Sequence, residues 1–159
     1  MNALNKIAAG VVGLALVAGI AWFFRSDPIF MISGKQLEGQ AAPYPQDWGF
    51  SDDYSTIAIE TNPGDPHSVT TLCFVHQGIL YVPAQGGSSK EWTQFVLEDP
   101  RVRLKVGKKI FHAKAERVMP LDILEYKDSL GSKYPKMKDR SPEEVPEDLW
   151  LFRIRPMIG

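Results

Sequence analysis

The chain has 159 residues, and its 18 lysine and arginine residues nearly balance 19 aspartate and glutamate residues, for a formal net charge of −1. This length allows one ordinary domain with an appendage. The charge balance excludes a protein that binds nucleic acid through bulk electrostatics. A single cysteine, Cys73, excludes an intramolecular disulfide and a cysteine-cluster metal site. The three histidines lack metal-ligand spacing, so we expect no metal site.

The amino-terminal part of the chain has the composition of a membrane helix. Residues 7–24 contain no charged side chain and would form a helix about 27 Å long, close to the roughly 30 Å hydrocarbon core of a bilayer. Lys6 and Arg25 bracket this segment, and Trp22 lies near one end, where it suits the membrane interface. The bulky end, Trp22, Phe23 and Phe24, favours an uncleaved anchor over a cleaved signal peptide or a buried core helix.

The position of the soluble part relative to the membrane is weakly determined by charge. Lys6 lies on one side of the apolar segment, and Arg25 and Lys35 lie on the other. Since a six-residue leader is easily retained inside, we expect a single-pass membrane protein whose soluble domain lies on the outer, extracytoplasmic face. We divide the chain into an anchor (1–25), an extended linker with a first strand (26–53) and a barrel domain (54–159).

Most of the barrel domain has the alternating pattern of β-strands. Six segments either alternate between apolar and polar residues or are rich in residues that favour β-strands. They are 54–61, 69–75, 79–82, 101–106, 109–118 and 149–155. Turns are predicted at 62–66, 76–78 and 107–108. Too few helices separate the strands for a parallel doubly wound sheet, so the pattern predicts antiparallel hairpins closed into a barrel. Trp48 and Phe50 are expected to hold the Pro-rich linker against this body.

Two helices are predicted within the barrel domain. Ser88 and Glu91 fit a capping box, and a buried stripe follows at Trp92, Phe95 and Val96. Asp99 and Pro100 end this helix. A second helix is predicted over 120–130, and residues 131–148, which are charged and interrupted by proline, are predicted to form a loop or lid.

The order of these features resembles a known family. The features are Leu80-Tyr81-Val82, a Gly-Gly loop, Lys90-Glu91-Trp92, Asp99-Pro100 with its strand, and the returning strand that carries Ile110 and Phe111. This string resembles the flavin- and deazaflavin-binding split β-barrel proteins, which include the pyridoxamine-phosphate-oxidase-like group and the deazaflavin-dependent nitroreductases. The resemblance implies a mainly-β fold, a six- to seven-stranded antiparallel split barrel with two short helices. It also implies a homodimer that binds FMN or the deazaflavin F420.

The resemblance assigns candidate cofactor-binding residues. By position, the 86–90 loop matches the stretch that contacts the cofactor phosphate in the deazaflavin branch. Trp92 matches the aromatic residue that follows this stretch in the family. The candidates are Gly86, Gly87, Ser88, Ser89, Lys90 and Trp92. Helix amino termini attract anions, glycine allows close backbone approach and lysine adds a point charge, which agrees with this assignment. The simpler interpretation is a hairpin-to-helix connection with a capping serine, and a core role for Trp92.

One departure from the family pattern bears on activity. The deazaflavin branch usually carries a Gly-Arg-x-Ser-Gly-like turn before the strand at Val69, whereas residues 62–68 of this chain contain neither arginine nor lysine. No catalytic residue can be assigned, because a redox cofactor supplies the chemistry itself.

Three hypotheses therefore stand. The first is a membrane-anchored flavin- or deazaflavin-dependent oxidoreductase acting on a small, lipophilic acceptor such as a quinone or nitro compound. The second is a non-catalytic split barrel that serves as a binding or assembly module. The third is another small antiparallel barrel, for instance a ligand carrier.

Overall fold

The computed structural model describes residues 32–118, 123–137 and 147–157. These residues contain eight strands: β1 (Gln40–Ala42), β2 (Ile57–Thr61), β3 (His67–Thr71), β4 (Phe74–His76), β5 (Ile79–Gln85), β6 (Arg101–Val106), β7 (Lys109–Val118) and β8 (Leu149–Pro156). They also contain two α-helices, α1 (Glu91–Glu98) and α2 (Ile123–Lys133), and 3-10 turns at Gly49–Asp53, Gly87–Ser89 and Pro135–Met137.

All eight strands belong to one sheet. Seven follow the order β3-β2-β6-β7-β8-β5-β4 with antiparallel pairing, and β1 pairs parallel to β7. The predicted mainly-β, antiparallel architecture with two helices is therefore confirmed, and the antiparallel path has seven strands, the upper end of the predicted six to seven. One extra strand arises because the segment predicted as a single strand breaks at Leu72 and Cys73 into β3 and β4. The eighth strand, β1, is three residues of the Pro-rich stretch and lies within 26–53, where a first strand is predicted.

The predicted turns fold as tight hairpins. Gln77 and Gly78, at φ values of 50° and 77°, join β4 to β5 and place His76 opposite Ile79. Gly107, at φ 59°, joins β6 to β7. These positive φ values are those of the hairpin turns that match strand twist.

The core lies inside the curled sheet and follows the predicted alternation. On β6, Val102, Leu104 and Val106 are buried while Arg103 and Lys105 are half-buried and point to the other face. Trp48 is 1% exposed and lies within the core cluster, as predicted for the residue that holds the linker to the body. Its ring is 5.1 Å from that of Phe111 and 5.8 Å from that of Phe50, which is itself partly exposed.

The sheet curls so that its two ends approach each other. β3, at one end of the strand order, comes within 8 Å of β5 between Cα atoms, yet no ladder joins them. The hydroxyl of Thr71 reaches across to the carbonyl of Pro83 at 3.5 Å. The barrel is therefore closed except for a split between β3 and the second half of β5.

The two helices differ in detail from their predictions. α1 begins at Glu91, and its N-cap is Lys90 without a side-chain hydrogen bond, so the predicted Ser88–Glu91 capping box is wrong. α2 runs three residues beyond the predicted end at Leu130, and residues 119–122, where the start was predicted, lie outside the described ranges. Neither α1 nor α2 has the length and apolar composition needed to cross a membrane. The predicted anchor, residues 1–25, lies outside the described part of the chain.

Candidate functional site

A large concavity lies at the split of the barrel. It has a volume of about 1050 Å³ and is open to solvent. Its walls are the chain around Ile32, the two residues before β2, β3, the second half of β5 and the start of α1. We call it the β3–β5 cleft. Its lining residues include Ile32, Ser33, Ser55, Thr56, Val69, Thr70, Thr71, Leu72, Pro83, Ala84, Gln85, Gly86, Lys90, Trp92 and Asp148.

Two strand edges form opposite sides of the cleft. β3 pairs with β2 along one edge, and on its other edge only an isolated bridge joins Ser68 to Gly34 in the described sheet. β5 pairs with β8 over 81–85, whereas β4 covers only residues 79–81 on the other side. Pro83 lies in the uncovered half, where its missing N–H costs no ladder bond. The cleft therefore presents backbone and hydroxyl groups beside apolar side chains.

A single positive side chain belongs to the described lining of this cleft. Lys90 is exposed and makes no ion pair with a carboxylate of the described residues. It precedes the first turn of α1, whose N-cap side chain makes no hydrogen bond. A helix start carries partial positive charge, so this corner of the cleft favours an anionic group.

The structure separates the six candidate cofactor-binding residues into two groups. Gly86, Lys90 and Trp92 line the cleft. Gly87, Ser88 and Ser89 form a 3-10 turn, and their polar groups are engaged within the protein.

Gly87 is required for packing. It is buried, and a Cβ atom there would lie 2.6 Å from Cδ2 of Trp150. Its carbonyl accepts a hydrogen bond from the buried hydroxyl of Thr93 at 2.5 Å, and its amide donates to the carbonyl of Asp148 at 3.0 Å. The second glycine thus lets β8 and the 86–90 loop approach each other closely.

Ser88 binds a carboxylate of the protein itself. Its amide lies 3.1 Å from both carboxylate oxygens of Asp148, and its hydroxyl lies 2.5 Å from Oδ2. Ser89 donates from both amide and hydroxyl to the carbonyl of Gly86, at 3.1 and 3.0 Å. Asp148 was missed from sequence because it lies 60 residues away, in a stretch interpreted as a loop or lid.

Trp92 is mainly a core residue that reaches the cleft wall. It is 4% exposed, and its ring centroid is 5.2 Å from that of Phe152. Trp150, which is half-buried against the same core, makes a contact of another kind: the guanidinium of Arg117 lies 3.5 Å above its ring.

A smaller cavity of about 510 Å³ lies between α2 and β4, away from the cleft. Lys133 lines it, and its side chain is only 6% exposed. Its ammonium donates to the carbonyl of Ser51 at 2.9 Å and to Sγ of Cys73 at 3.2 Å, and it lies 3.4 Å from Asp52. Burial raises the pKa of Cys73, and the nearby ammonium opposes that rise only in part.

The hydroxyl of Tyr134, the next residue, also contacts the backbone of the barrel. It lies 2.7 Å from the carbonyl of Ser55 and 2.9 Å from that of Cys73, and it accepts from the amide of Cys73 at 3.2 Å. Burial raises the pKa of Tyr134 to about 12. Lys133 and Tyr134 therefore fasten the end of α2 to the barrel.

Comparison with known proteins gives the fold. No protein-family model matches the sequence, and no curated protein sequence matches it. Among solved structures, the chain is similar to the heme storage protein HutZ from Vibrio cholerae, with a TM-score of 0.54 and 18% identity over 70% of this chain and 87% of that one. It is also similar to a putative pyridoxamine 5'-phosphate oxidase from Listeria innocua, with a TM-score of 0.52 and 18% identity over 69% and 90%.

The fold is that of the split β-barrels. An FAD-binding protein from Mesorhizobium loti matches with a TM-score of 0.50 and 13% identity over 67% of this chain and 82% of that one. The chain spans about half of another similar structure, Atu2129 from Agrobacterium tumefaciens, covering 48% of its length with a TM-score of 0.51 and 21% identity. The predicted resemblance to the flavin- and deazaflavin-binding split barrels is confirmed at the level of the fold.

The β3–β5 cleft fits a planar aromatic cofactor in size and in the chemistry of its walls. A cleft of about 1050 Å³ exceeds the several hundred cubic ångströms of ordinary ligand pockets. Along one wall, Thr70 and Thr71 lie between the apolar residues Val69 and Leu72, which suits a ring edged with hydrogen-bonding atoms. Lys90 is the group with which a phosphate tail would pair.

Proposed function

We propose that this chain is a membrane-anchored oxidoreductase that depends on a flavin or a deazaflavin bound in the β3–β5 cleft. The observation that carries the proposal is the open cleft at the barrel split with Lys90 and the uncapped start of α1 at its rim. The split-barrel fold, which a FAD-binding protein shares, supports the same assignment.

The chain's own residues have limited tasks in such an enzyme. Lys90 attracts the phosphate, the hydroxyl of Thr70 offers a hydrogen bond, and Val69, Leu72 and Ala84 exclude water from the ring. When bound, the cofactor supplies hydride transfer, which needs no strong acid–base pair from the protein.

The cleft lies close in sequence to the predicted anchor, which favours a small, lipophilic acceptor such as a quinone or nitro compound. Ile32 and Ser33 line the cleft, and the predicted anchor ends at Arg25. Seven residues span at most about 25 Å when fully extended. If residues 7–24 form the anchor, one wall of the cleft therefore lies no more than about 25 Å from the membrane surface. A substrate dissolved in the bilayer then has a short path to the site.

The alternative is a split barrel that serves as a binding or assembly module without a cofactor. Two observations favour it. The carboxylate of Asp148 occupies the donors of Ser88 that a phosphate would use, and Gly87 is explained by its contact with Trp150.

Titration of the full-length chain in mild detergent with FMN, FAD and F420, followed by chromophore fluorescence, tests the proposal. We expect micromolar or tighter binding of at least one of them. Lys90→Ala should weaken that binding about tenfold, as expected for the loss of a charged hydrogen bond. Lys136→Ala, an exposed lysine on the 3-10 turn after α2, serves as the matched control and should leave binding unchanged. Absence of affinity for all three chromophores would leave the alternative.

Homodimerisation and the outward position of the barrel domain remain predictions. Analytical ultracentrifugation of the full-length chain in detergent measures the first, and protease accessibility of the barrel domain in intact cells measures the second.

A further inference from the structure

The carboxylate of Asp148 binds the 86–90 loop, which the resemblance assigns to a cofactor phosphate. Both of its oxygens lie 3.1 Å from the amide nitrogen of Ser88, and Oδ2 lies 2.5 Å from the hydroxyl oxygen. Asp148 is also part of the cleft lining, next to Gly86. The cleft therefore carries a negative charge of its own beside the 86–90 loop, where the phosphate tail of a cofactor would bind.

The other donors of the loop are committed as well. The amide of Gly87 donates to the backbone carbonyl of Asp148, and Ser89 donates twice to the carbonyl of Gly86. Lys90 and Asp148 both belong to the lining that an incoming phosphate would meet. Since these opposite charges act on the same group, the net electrostatic gain from a phosphate is small.

We propose that Asp148 is a specificity-determining residue that biases the cleft against ligands with a phosphate tail. The proposal rests on the proposed function, because it concerns which chromophore the same cleft selects. Asp148 holds the donors of Ser88 and repels a dianion, so the ring of a flavin, and not its tail, supplies most of the affinity. The cleft then discriminates little between FMN and riboflavin, which differ only in the phosphate.

The contact with Ser88 is exposed, so its charge can be removed without opening the core. Asp148→Asn keeps an oxygen that accepts from the amide of Ser88 and removes the negative charge. Loss of one repelling charge a few ångströms from a phosphate at an effective dielectric between water and protein interior corresponds to about tenfold in affinity. The effect should be confined to ligands that carry the phosphate.

The experiment measures dissociation constants of FMN and riboflavin for the full-length wild-type chain, for Asp148→Asn and for Asp128→Asn. Asp128 is an exposed aspartate on α2 that lines the smaller cavity, so its variant loses the same charge away from the cleft. If the chain binds the deazaflavin and not the flavin, F420 and its phosphate-free deazaflavin core replace the pair. Thermal unfolding of each variant verifies that the fold is kept, and Asp148→Ser replaces Asp148→Asn if it is not.

We expect wild-type affinities for FMN and riboflavin within about fivefold of each other, and about tenfold tighter FMN binding by Asp148→Asn with riboflavin unchanged. Equal FMN binding by wild type and Asp148→Asn would overturn the inference and leave the cofactor site standing. Equal gains for FMN and riboflavin would also overturn it, since they would indicate a rearranged loop. If no variant binds any chromophore, both the inference and the proposed function fail.

Discussion

Glu60 on β2 and Arg103 on β6 form a nearly buried ion pair that also holds the backbone of a third segment. Nη1 of Arg103 lies 3.0 and 2.8 Å from the two carboxylate oxygens, and the side chains are 22% and 6% exposed for Arg103 and Glu60. The amide of Leu37 donates to Glu60 at 2.6 Å, and its carbonyl accepts from Arg103 at 3.0 Å. The pair therefore ties the segment that leads into the cleft wall to the middle of the sheet.

Replacement of Glu60 by glutamine should destabilise the protein by about 3 kcal/mol, because it leaves the guanidinium of Arg103 mostly buried without its counter-charge. Urea unfolding measures the change. The matched control is Glu116→Gln, whose carboxylate is 52% exposed beside Arg153 and should cost no more than about 1 kcal/mol. Equal losses in the two variants would contradict the account.

Gly87→Ala should destabilise the protein by about 1–3 kcal/mol, because its methyl group has no room beside the ring of Trp150. Gly64→Ala provides the comparison, since nothing lies within 4 Å of the Cβ position there. Thermal unfolding separates the two variants. A Gly87→Ala protein as stable as Gly64→Ala would show that the close approach of β8 and the 86–90 loop is not a constraint.

Cys73 should react slowly with a thiol reagent such as iodoacetamide at pH 8 in the folded protein. The residue is fully buried, and burial raises the pKa of its thiol, so little thiolate is available. Lys133→Met removes the ammonium that bonds the carbonyl of Ser51 and Sγ of Cys73, and should loosen the end of α2. Loss of the ammonium also removes the interaction that opposes the rise in the pKa of the thiol, but exposure of Cys73 by the loosened helix end has the larger effect, so we expect faster labelling in that variant. Lys127→Met, on the same helix, should label at the wild-type rate.

The stability of the protein should fall as the pH rises above 10. Burial raises the pKa of Tyr134 to about 12 from an ordinary value of 10.0, so its phenolate is disfavoured in the folded state. Its contribution is fully present below pH 10 and is lost as the pH rises through 12. Urea unfolding between pH 9 and 11.5 should show a steeper decline for wild type than for Tyr134→Phe. Parallel curves for the two proteins would contradict this assignment.

The sequence predicts most of the sheet because its signals are local. Alternation on β6, the glycine at 107 and the Gln77-Gly78 turn each specify a strand or hairpin within a few residues. The sequence predicts a first strand within 26–53, but neither the position of β1 nor its parallel pairing with β7, which depends on residues far along the chain. The break at Leu72 and Cys73 is not predicted either, because the strand pattern of the sequence continues through these two residues.

The candidate site shows a similar division. The resemblance assigns Gly86 and Lys90 to a cofactor phosphate, and the structure places both in the wall of the cleft. Ser88 was interpreted as a helix cap, yet its hydroxyl binds Asp148. No local pattern reports a partner 60 residues away, and an aspartate in a charged stretch has no distinguishing signal.

Hydrogen–deuterium exchange of the full-length chain with and without a saturating chromophore, FMN or F420, tests the central claim most directly. We predict slower exchange upon binding in peptides that cover residues 69–72 and 83–92, the two sides of the β3–β5 cleft, and unchanged exchange in α2. Protection confined to α2 and the smaller cavity, or no protection with bound chromophore, would contradict the placement of a cofactor at the split of the barrel.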